Sequence, residues 1–168
     1  MSSDFCFVPL GSHHDRAAFS CGQDSLDDFI KTKARKERDL GYCAIFVMAE
    51  TPESREICGF YTISPHSISL TGISEEEKKK LPKYPEIPVT IIGRLARSSS
   101  LIGKNCGEIL LLNALETISN ATAPGYAVVV DAIDDKAAAF YKRYGFQAVQ
   151  GSQNRFYISM KTVKSLNL

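Results

Sequence analysis

The stretch Gly93-Arg94-Leu95-Ala96-Arg97-Ser98-Ser99-Ser100-Leu101-Ile102-Gly103-Lys104-Asn105-Cys106-Gly107-Glu108-Ile109-Leu110-Leu111 constrains the fold more than any other part of the chain. It reads as a buried strand, a glycine-bearing turn, and the start of an amphipathic helix. A helix that begins there presents unpaired backbone N–H groups and the positive end of its dipole, a combination suited to a phosphate. Farther on, Phe140-Tyr141-Lys142-Arg143-Tyr144-Gly145-Phe146 marks a helix end rich in aromatics.

The other elements follow from pattern. Phe5 to Leu10 reads as a strand. Asp24 or Ser25 is expected to cap a helix with Leu26, Phe29, Ile30 and Ala34 on its apolar stripe. Its opposite face carries Lys31, Lys33, Arg35, Lys36 and Arg38. Tyr42–Ala49 and Ile57–Ser64 form an expected hairpin across the turn Thr51-Pro52-Glu53-Ser54.

Leu70 to Pro88 is a polar excursion. Ser74 and Glu77 predict a capping box, and Glu75–Glu77 before Lys78–Lys80 predict a short, solvated, charged helix. Val89–Arg97 is a strand, Lys104–Asn120 a helix and Tyr126–Ile133 a valine-rich strand. Asp134 or Asp135 caps a helix to Tyr144 that Gly145 stops, and Phe146–Val149 and Phe156–Met160 pair antiparallel. The pattern predicts one α/β (α+β) domain over residues 1–168, a mixed sheet with helices packed against it.

Composition narrows the class. With 168 residues, 44% hydrophobic and 23% charged, the chain suits one soluble domain. A net charge of +1 does not by itself argue for nucleic acid. No basic segment followed by an apolar run opens the chain and no apolar stretch would span a bilayer, so the expected location is cytoplasmic, without a membrane partner. Cys6, Cys21, Cys43, Cys58 and Cys106 show no metal-ligand spacing, so no metal is expected, and His13-His14 reads as a loop pair without a role. The turn lacks G-x-G-x-x-G, and no G-K-[ST] exists, which argues against a Rossmann dinucleotide site and excludes a Walker motif.

From about Asp4 to Lys161 the chain resembles the GNAT family of acetyl-CoA-dependent N-acetyltransferases. Its glycine turn is similar to the family's Q/R-x-x-G-x-G/A, with Ile102 at the first position, Asn105 at the first glycine and Gly107 at the last. More narrowly, Phe19-Ser20-Cys21-Gly22 through Leu26-Asp27-Asp28-Phe29-Ile30 resembles the opening of the GNAT-type toxins of bacterial toxin–antitoxin pairs. Gly59-Phe60-Tyr61-Thr62-Ile63-Ser64, Tyr84-Pro85-Glu86-Ile87-Pro88, Val128-Val129-Val130-Asp131-Ala132 and the Phe140-Tyr141 to Gly145-Phe146 ending continue that resemblance in order.

The resemblance implies a mostly antiparallel central sheet with a splayed strand pair and flanking helices. It implies an N-acetyltransferase whose cosubstrate acetyl-CoA lies against Leu95, Ala96, Arg97, Ile102, Gly103, Lys104, Asn105, Cys106, Gly107, Glu108, Asp135 and Phe140. The pantetheine arm is expected on the backbone of Leu95 and Arg97, and the pyrophosphate on the N–H groups from Gly103 to Gly107. Tyr141 is the expected proton donor to the leaving thiolate. Charged tRNA as acceptor, a ribbon–helix–helix antitoxin and a homodimer follow from the same resemblance, with translation as the target. Two alternatives stay open: an acetyltransferase of small or protein amines, and a non-catalytic GNAT-like binding protein. The basic residues between Lys31 and Arg38, with Arg94, Arg97, Lys142 and Arg143, are candidate phosphate contacts, although Arg94 could instead form an ion pair within the sheet.

Overall fold

The computed structural model describes residues 4–168. Seven strands lie in the order β1-β2-β3-β4-β5-β7-β6: β1 Cys6–Pro9, β2 Ala44–Ala49, β3 Gly59–Ser69, β4 Glu86–Arg97, β5 Ala127–Asp131, β6 Gln147–Ala148 and β7 Arg155–Ser159. The β1–β2, β2–β3, β5–β7 and β6–β7 pairs are antiparallel, whereas β4 and β5 run parallel. The chain divides into two compact units, one of residues up to Ser64 with Gly93–Ala114, the other of Pro65–Ile92 with Leu115–Leu168.

In the first unit the expected N-terminal helix forms in three pieces. Asp24–Asp28 (α1) and Ala34–Asp39 (α2) flank a π-helical turn, Phe29–Lys33. Neither Asp24 nor Ser25 caps it; Gln23 stands at the N-cap, and its carbonyl accepts from Leu26 and Asp27. The Asp27 carboxylate instead reaches back to the Cys21 N–H at 2.9 Å. The wider turn keeps Phe29, Ile30 and Ala34 all buried, in a core with Val47, Phe60 and Ala96. The Arg16 guanidinium donates to the carbonyls of Ile30 (3.2 Å) and Lys31 (3.1 Å), in the stretch where the π-turn departs from the regular α-helical ladder.

In the second unit, β5 is buried on both faces, as a parallel strand covered by helices requires. Ile73 of the excursion joins Ile68, Ile87, Val89, Ala127, Val129 and Tyr157 in one core. The excursion's helix is short (α3, Glu75–Lys78), and Ser74 caps it by accepting from the Glu77 N–H at 3.4 Å. The return half of the capping box is absent, and the expectation of a fully solvated helix needs correcting. Glu77 turns inward, and its carboxylate accepts from the Tyr126 hydroxyl, from the Tyr157 hydroxyl at 3.2 Å and from Gln147 Nε2 at 2.9 Å. A carboxylate binds such donors more strongly than a neutral acceptor does, so Glu77 ties the excursion to Tyr126, just before β5, and to β6 and β7.

The last helices are α4 Cys106–Ser119, α5 Asp135–Arg143 and α6 Met160–Ser165; the sequence pattern did not predict α6. Asp134 is the cap of α5, accepting from the Ala137 N–H at 2.8 Å. At its other end Gly145 (φ +95°) closes a Schellman motif, with Phe146 N–H on Tyr141 O and Gly145 N–H on Lys142 O. Among the described residues no helix is long and apolar enough to cross a membrane.

Glu77→Ala removes the charged acceptor and leaves the Tyr157 hydroxyl, on a fully buried residue, without it. Urea unfolding should show a loss of about 2 kcal/mol relative to wild type.

Candidate active site

β4 pairs with β5 over only four rungs, Val89–Ile92 against Ala127–Val130, and then continues to Arg97. Ala96 is buried in the core of the first unit, so its side chain is committed to packing, while Leu95 and Arg97 are half-buried. After Arg97 the chain is pinned by Ser98 N–H to Cys58 O and Ser99 N–H to Ser20 O, each 2.8 Å. The Ser98 hydroxyl then caps a 3₁₀ turn, Ser99–Leu101.

The loop that follows adopts two left-handed residues, Gly103 (φ +85°) and Asn105 (φ +57°). Asn105 enters this region more readily than most side chains do, so it performs the backbone task of a glycine there. Cys106 is buried and anchors the loop, its thiol directed at Lys104 O (3.7 Å). The first regular helical bond of α4 is Ile109 N–H to Asn105 O at 3.2 Å. The N–H groups of Cys106, Gly107 and Glu108 therefore belong to the open first turn, at the positive end of the dipole. Lys104 is exposed, and its charge and that of Arg97 both act on the Cys106 thiol. These residues fit a diphosphate. Ile102 is 65% exposed, so the position that carries a Gln or Arg in the related turns is filled here by an apolar side chain in solvent.

In the second unit Tyr141 is buried, with its ring edge-on to Phe140 (5.4 Å between centroids) and tilted against Phe146 (5.4 Å). Phe140 is half-buried and rests on Tyr144 at 5.1 Å, while Asp135 is exposed in the first turn of α5. Burial, followed by the negative charge of Asp131, pushes the Tyr141 phenol up to about 12. At neutral pH it is a protonated group, able to donate and not to accept a proton.

Sequence reasoning missed a trio in the same unit. Arg155 grips Asp131 through both oxygens, Nε to Oδ1 at 2.8 Å and Nη2 to Oδ2 at 2.9 Å, and its Nη1 meets His66 Nε2 at 3.2 Å. Asp131 and Arg155 are cross-strand partners in β5 and β7, a register no linear spacing reveals.

The remaining candidates divide. Among the described residues Arg94 forms no ion pair; its guanidinium stacks on the Phe29 ring at 3.7 Å. Lys33 pairs with Asp28 (3.4 Å), and Arg38 with Asp39 (3.0 Å) and Leu10 O (2.6 Å). Lys31, Arg35 and Lys36 line, with Arg16, an open groove of about 530 Å³. All five cysteines are free thiols, and burial pushes those of Cys21 and Cys58 up to about 11. His13 and His14 lie in a loop as expected, and there His14 is buried, its Nδ1 accepting from the Gly11 N–H at 2.9 Å.

No family model matches the chain. It is 31% identical over 164 residues to the probable toxin TacT of Sinorhizobium fredii (strain NBRC 101917 / NGR234), covering 92% of this chain and 90% of that protein. The chain belongs to the GNAT-type toxin family. A second relative in that family, the tRNA-acetylating toxin of Mycobacterium tuberculosis (strain ATCC 25618 / H37Rv), is 27% identical over 154 residues, with 90% of each chain covered. Among solved structures, a tyrosine-to-phenylalanine mutant of KacT matches with a TM-score of 0.88 at 26% identity, over 96% of this chain and 98% of that one. AtaT complexed with acetyl-methionyl-tRNAfMet matches at 0.87 and 27% identity, over 98% and 99%. AtaTR bound with acetyl-CoA matches at 0.78 and 26% identity, over 99% and 100%. The GNAT-type toxin fold thus extends over nearly the whole chain.

Asn105→Val places a β-branched side chain at φ +57° and should lower stability by about 1–2 kcal/mol, whereas Asn105→Gly should be nearly neutral. Thermal unfolding of the two variants beside wild type checks the difference.

Proposed function

We propose that this chain is a toxin that transfers an acetyl group from acetyl-CoA to the α-amine of aminoacyl-tRNA and so blocks translation. The observation that carries the reading is the full-length likeness to AtaT complexed with acetyl-methionyl-tRNAfMet, joined to a protonated, buried tyrosine at the end of α5. We take residues 1–168 as one working acetyltransferase domain, located in the cytoplasm where charged tRNA is found.

Acetyl-CoA, when bound, supplies an acetyl thioester. The N–H groups of Gly103 and Asn105 in the loop, and of Cys106, Gly107 and Glu108 in the first turn of α4, would hold its diphosphate, with charge from Lys104, whose own N–H is bonded to Leu101 O, and from Arg97. Backbone groups of Leu95 and Arg97, in the part of β4 beyond its last rung with β5, would pair with the amides of the pantetheine arm. Ala96 holds that stretch to the core beneath, and Ile102, Cys106, Asp135 and Phe140 complete the set of residues assigned to the cosubstrate. Tyr141 would give its proton to the leaving thiolate as the C–N bond forms. An α-amine has an ordinary pKa of roughly 7.7–8.0, so a sizeable fraction is neutral near pH 7 and no strong protein base is needed. The structure of AtaT bound to the C-terminus of the antitoxin AtaR supports an antitoxin partner for this chain, and we include in the same reading that the antitoxin is of the ribbon–helix–helix kind and that the chain forms a homodimer.

The test supplies labelled acetyl-CoA with charged tRNA, uncharged tRNA and a panel of small and protein amines. Label on charged tRNA alone is the expected result. Label confined to small or protein amines would replace the toxin reading with a broader acetyltransferase, and an absence of both transfer and acetyl-CoA binding would leave a non-catalytic protein. Tyr141→Phe should reduce kcat by about 10²-fold or more, the usual range for loss of a general acid, with acetyl-CoA affinity changed less than about two-fold. Growth arrest on expression should be relieved in the same variant.

A further inference from the structure

The second unit contains a groove of about 340 Å³ that the assignments above leave unused. Its only charged lining residues are Asp131 and Arg155; the polar remainder is neutral, with Ser67, Ser69, Gln150 and Asn154 among it. Arg155 is held rigidly, its backbone N–H on Ser152 Oγ at 3.1 Å and its carbonyl accepting from Val149. Its guanidinium, which can only donate, donates to His66 Nε2 at 3.2 Å. The two-pronged contact uses one acceptor direction on each Asp131 oxygen. Each oxygen keeps another, and the side chain remains 42% exposed.

A carboxylate fixed in place, half open and set among neutral hydrogen-bonding walls suits a primary amine or ammonium carried on a polar body. An anionic ligand would meet the exposed carboxylate, and an apolar one would strand the serine and amide groups. Asp131 is also the first β5 residue beyond the last rung with β4, and Ala132, which follows it, is tied to Asn154 O at 2.8 Å. We propose that Asp131, oriented by Arg155 and His66, is the residue that receives the acceptor's amine, the α-amine of the aminoacyl group. This rests on the aminoacyl-tRNA reading given above. The charged and titratable groups that act on Asp131 are Arg155 from β7, His66 through Arg155 from β3, and Tyr141 from α5. Asp131 keeps no proton: the amine attacks the thioester carbonyl, C–N forms, C–S breaks, Tyr141 protonates the sulfur, and the amine's proton leaves to water.

Asp131→Asn decides the matter. With charged tRNA as acceptor, its KM should rise about ten-fold, the scale of one charge-assisted hydrogen bond, while acetyl-CoA affinity stays put. A carboxylate beside an amine favours the ammonium, so removing the charge should also move the acid limb of the kcat–pH profile downward by roughly half a unit. Asp131→Glu, which restores the charge, should return that limb towards wild type even where KM does not recover, an outcome that loss of packing would not produce. An unchanged KM and acid limb in Asp131→Asn, or a fall in thermal stability that accounts for the whole loss and that Asp131→Glu does not rescue, overturns the proposal. If the wild-type chain acetylates no charged tRNA, the toxin reading fails separately. The same two variants, measured on whichever amine it does acetylate, then decide the role of Asp131.

Discussion

The parallel ladder between β4 and β5 is the constraint on which the rest depends. It lasts four rungs, and every β5 residue in it is fully buried, which only a strand covered on both faces can be. Ala127 to Val130 are apolar; the next residue is Asp131. The change from valine to aspartate coincides with the end of pairing to β4, while Asp131 still pairs with Arg155 of β7, and a charged side chain is costly between two covered faces. Three residues later Asp134 caps α5, and one helix farther on Tyr141 is reached. On β4 the chain meanwhile continues through Leu95 and Arg97 into the loop that precedes α4. Polar chemistry thus begins where the ladder stops.

What happens to protons in the second unit follows from burial. Tyr141 is pushed upward by desolvation first and by Asp131 second, which keeps it an acid throughout the physiological range. The thiols tell the same story with a different outcome. Cys21, Cys43, Cys58 and Cys106 are all shifted upward, burial being the main cause, so that each is protonated and unreactive near neutral pH. A relay through a covalent cysteine intermediate would need the reverse shift. These four thiols are thus ill suited to carrying an acetyl group, whereas the Tyr141 phenol holds a proton that it is able to donate.

Most of the scaffold was legible because its elements obey simple periods. The hairpin, the valine-rich strand, the helix after Asp134 and the stop at Gly145 all came from local pattern, and each lies within a few residues of its expected place. Tyr141 and the loop from Gly103 to Gly107 were reached through motif order, and the structure adds burial and backbone angles to them. Local pattern failed wherever a side chain found a partner far along the chain. Glu77 looked like one charge in a solvated run, yet its partners are 49, 70 and 80 residues away. The partners of Arg155 lie 24 and 89 residues away. The π-turn at Phe29–Lys33 was hidden for another reason: a single added residue per turn leaves the apolar stripe looking α-helical.

The loop before α4 shows why two departures from the family's turn do not have to abolish an anion site. A glycine in such a turn serves two purposes, a left-handed backbone and room for a phosphate. Asn105 supplies the first at φ +57° and is exposed, so its side chain is free to lie in solvent instead of across the first turn. An anion at a helix N-terminus is held chiefly by backbone N–H groups, which a side-chain change leaves in place. Ile102 withdraws one polar contact, but Lys104 and Arg97 keep positive charge beside the turn. The burial of Cys106, with its thiol on Lys104 O at 3.7 Å, ties this stretch of backbone to the core at the start of α4.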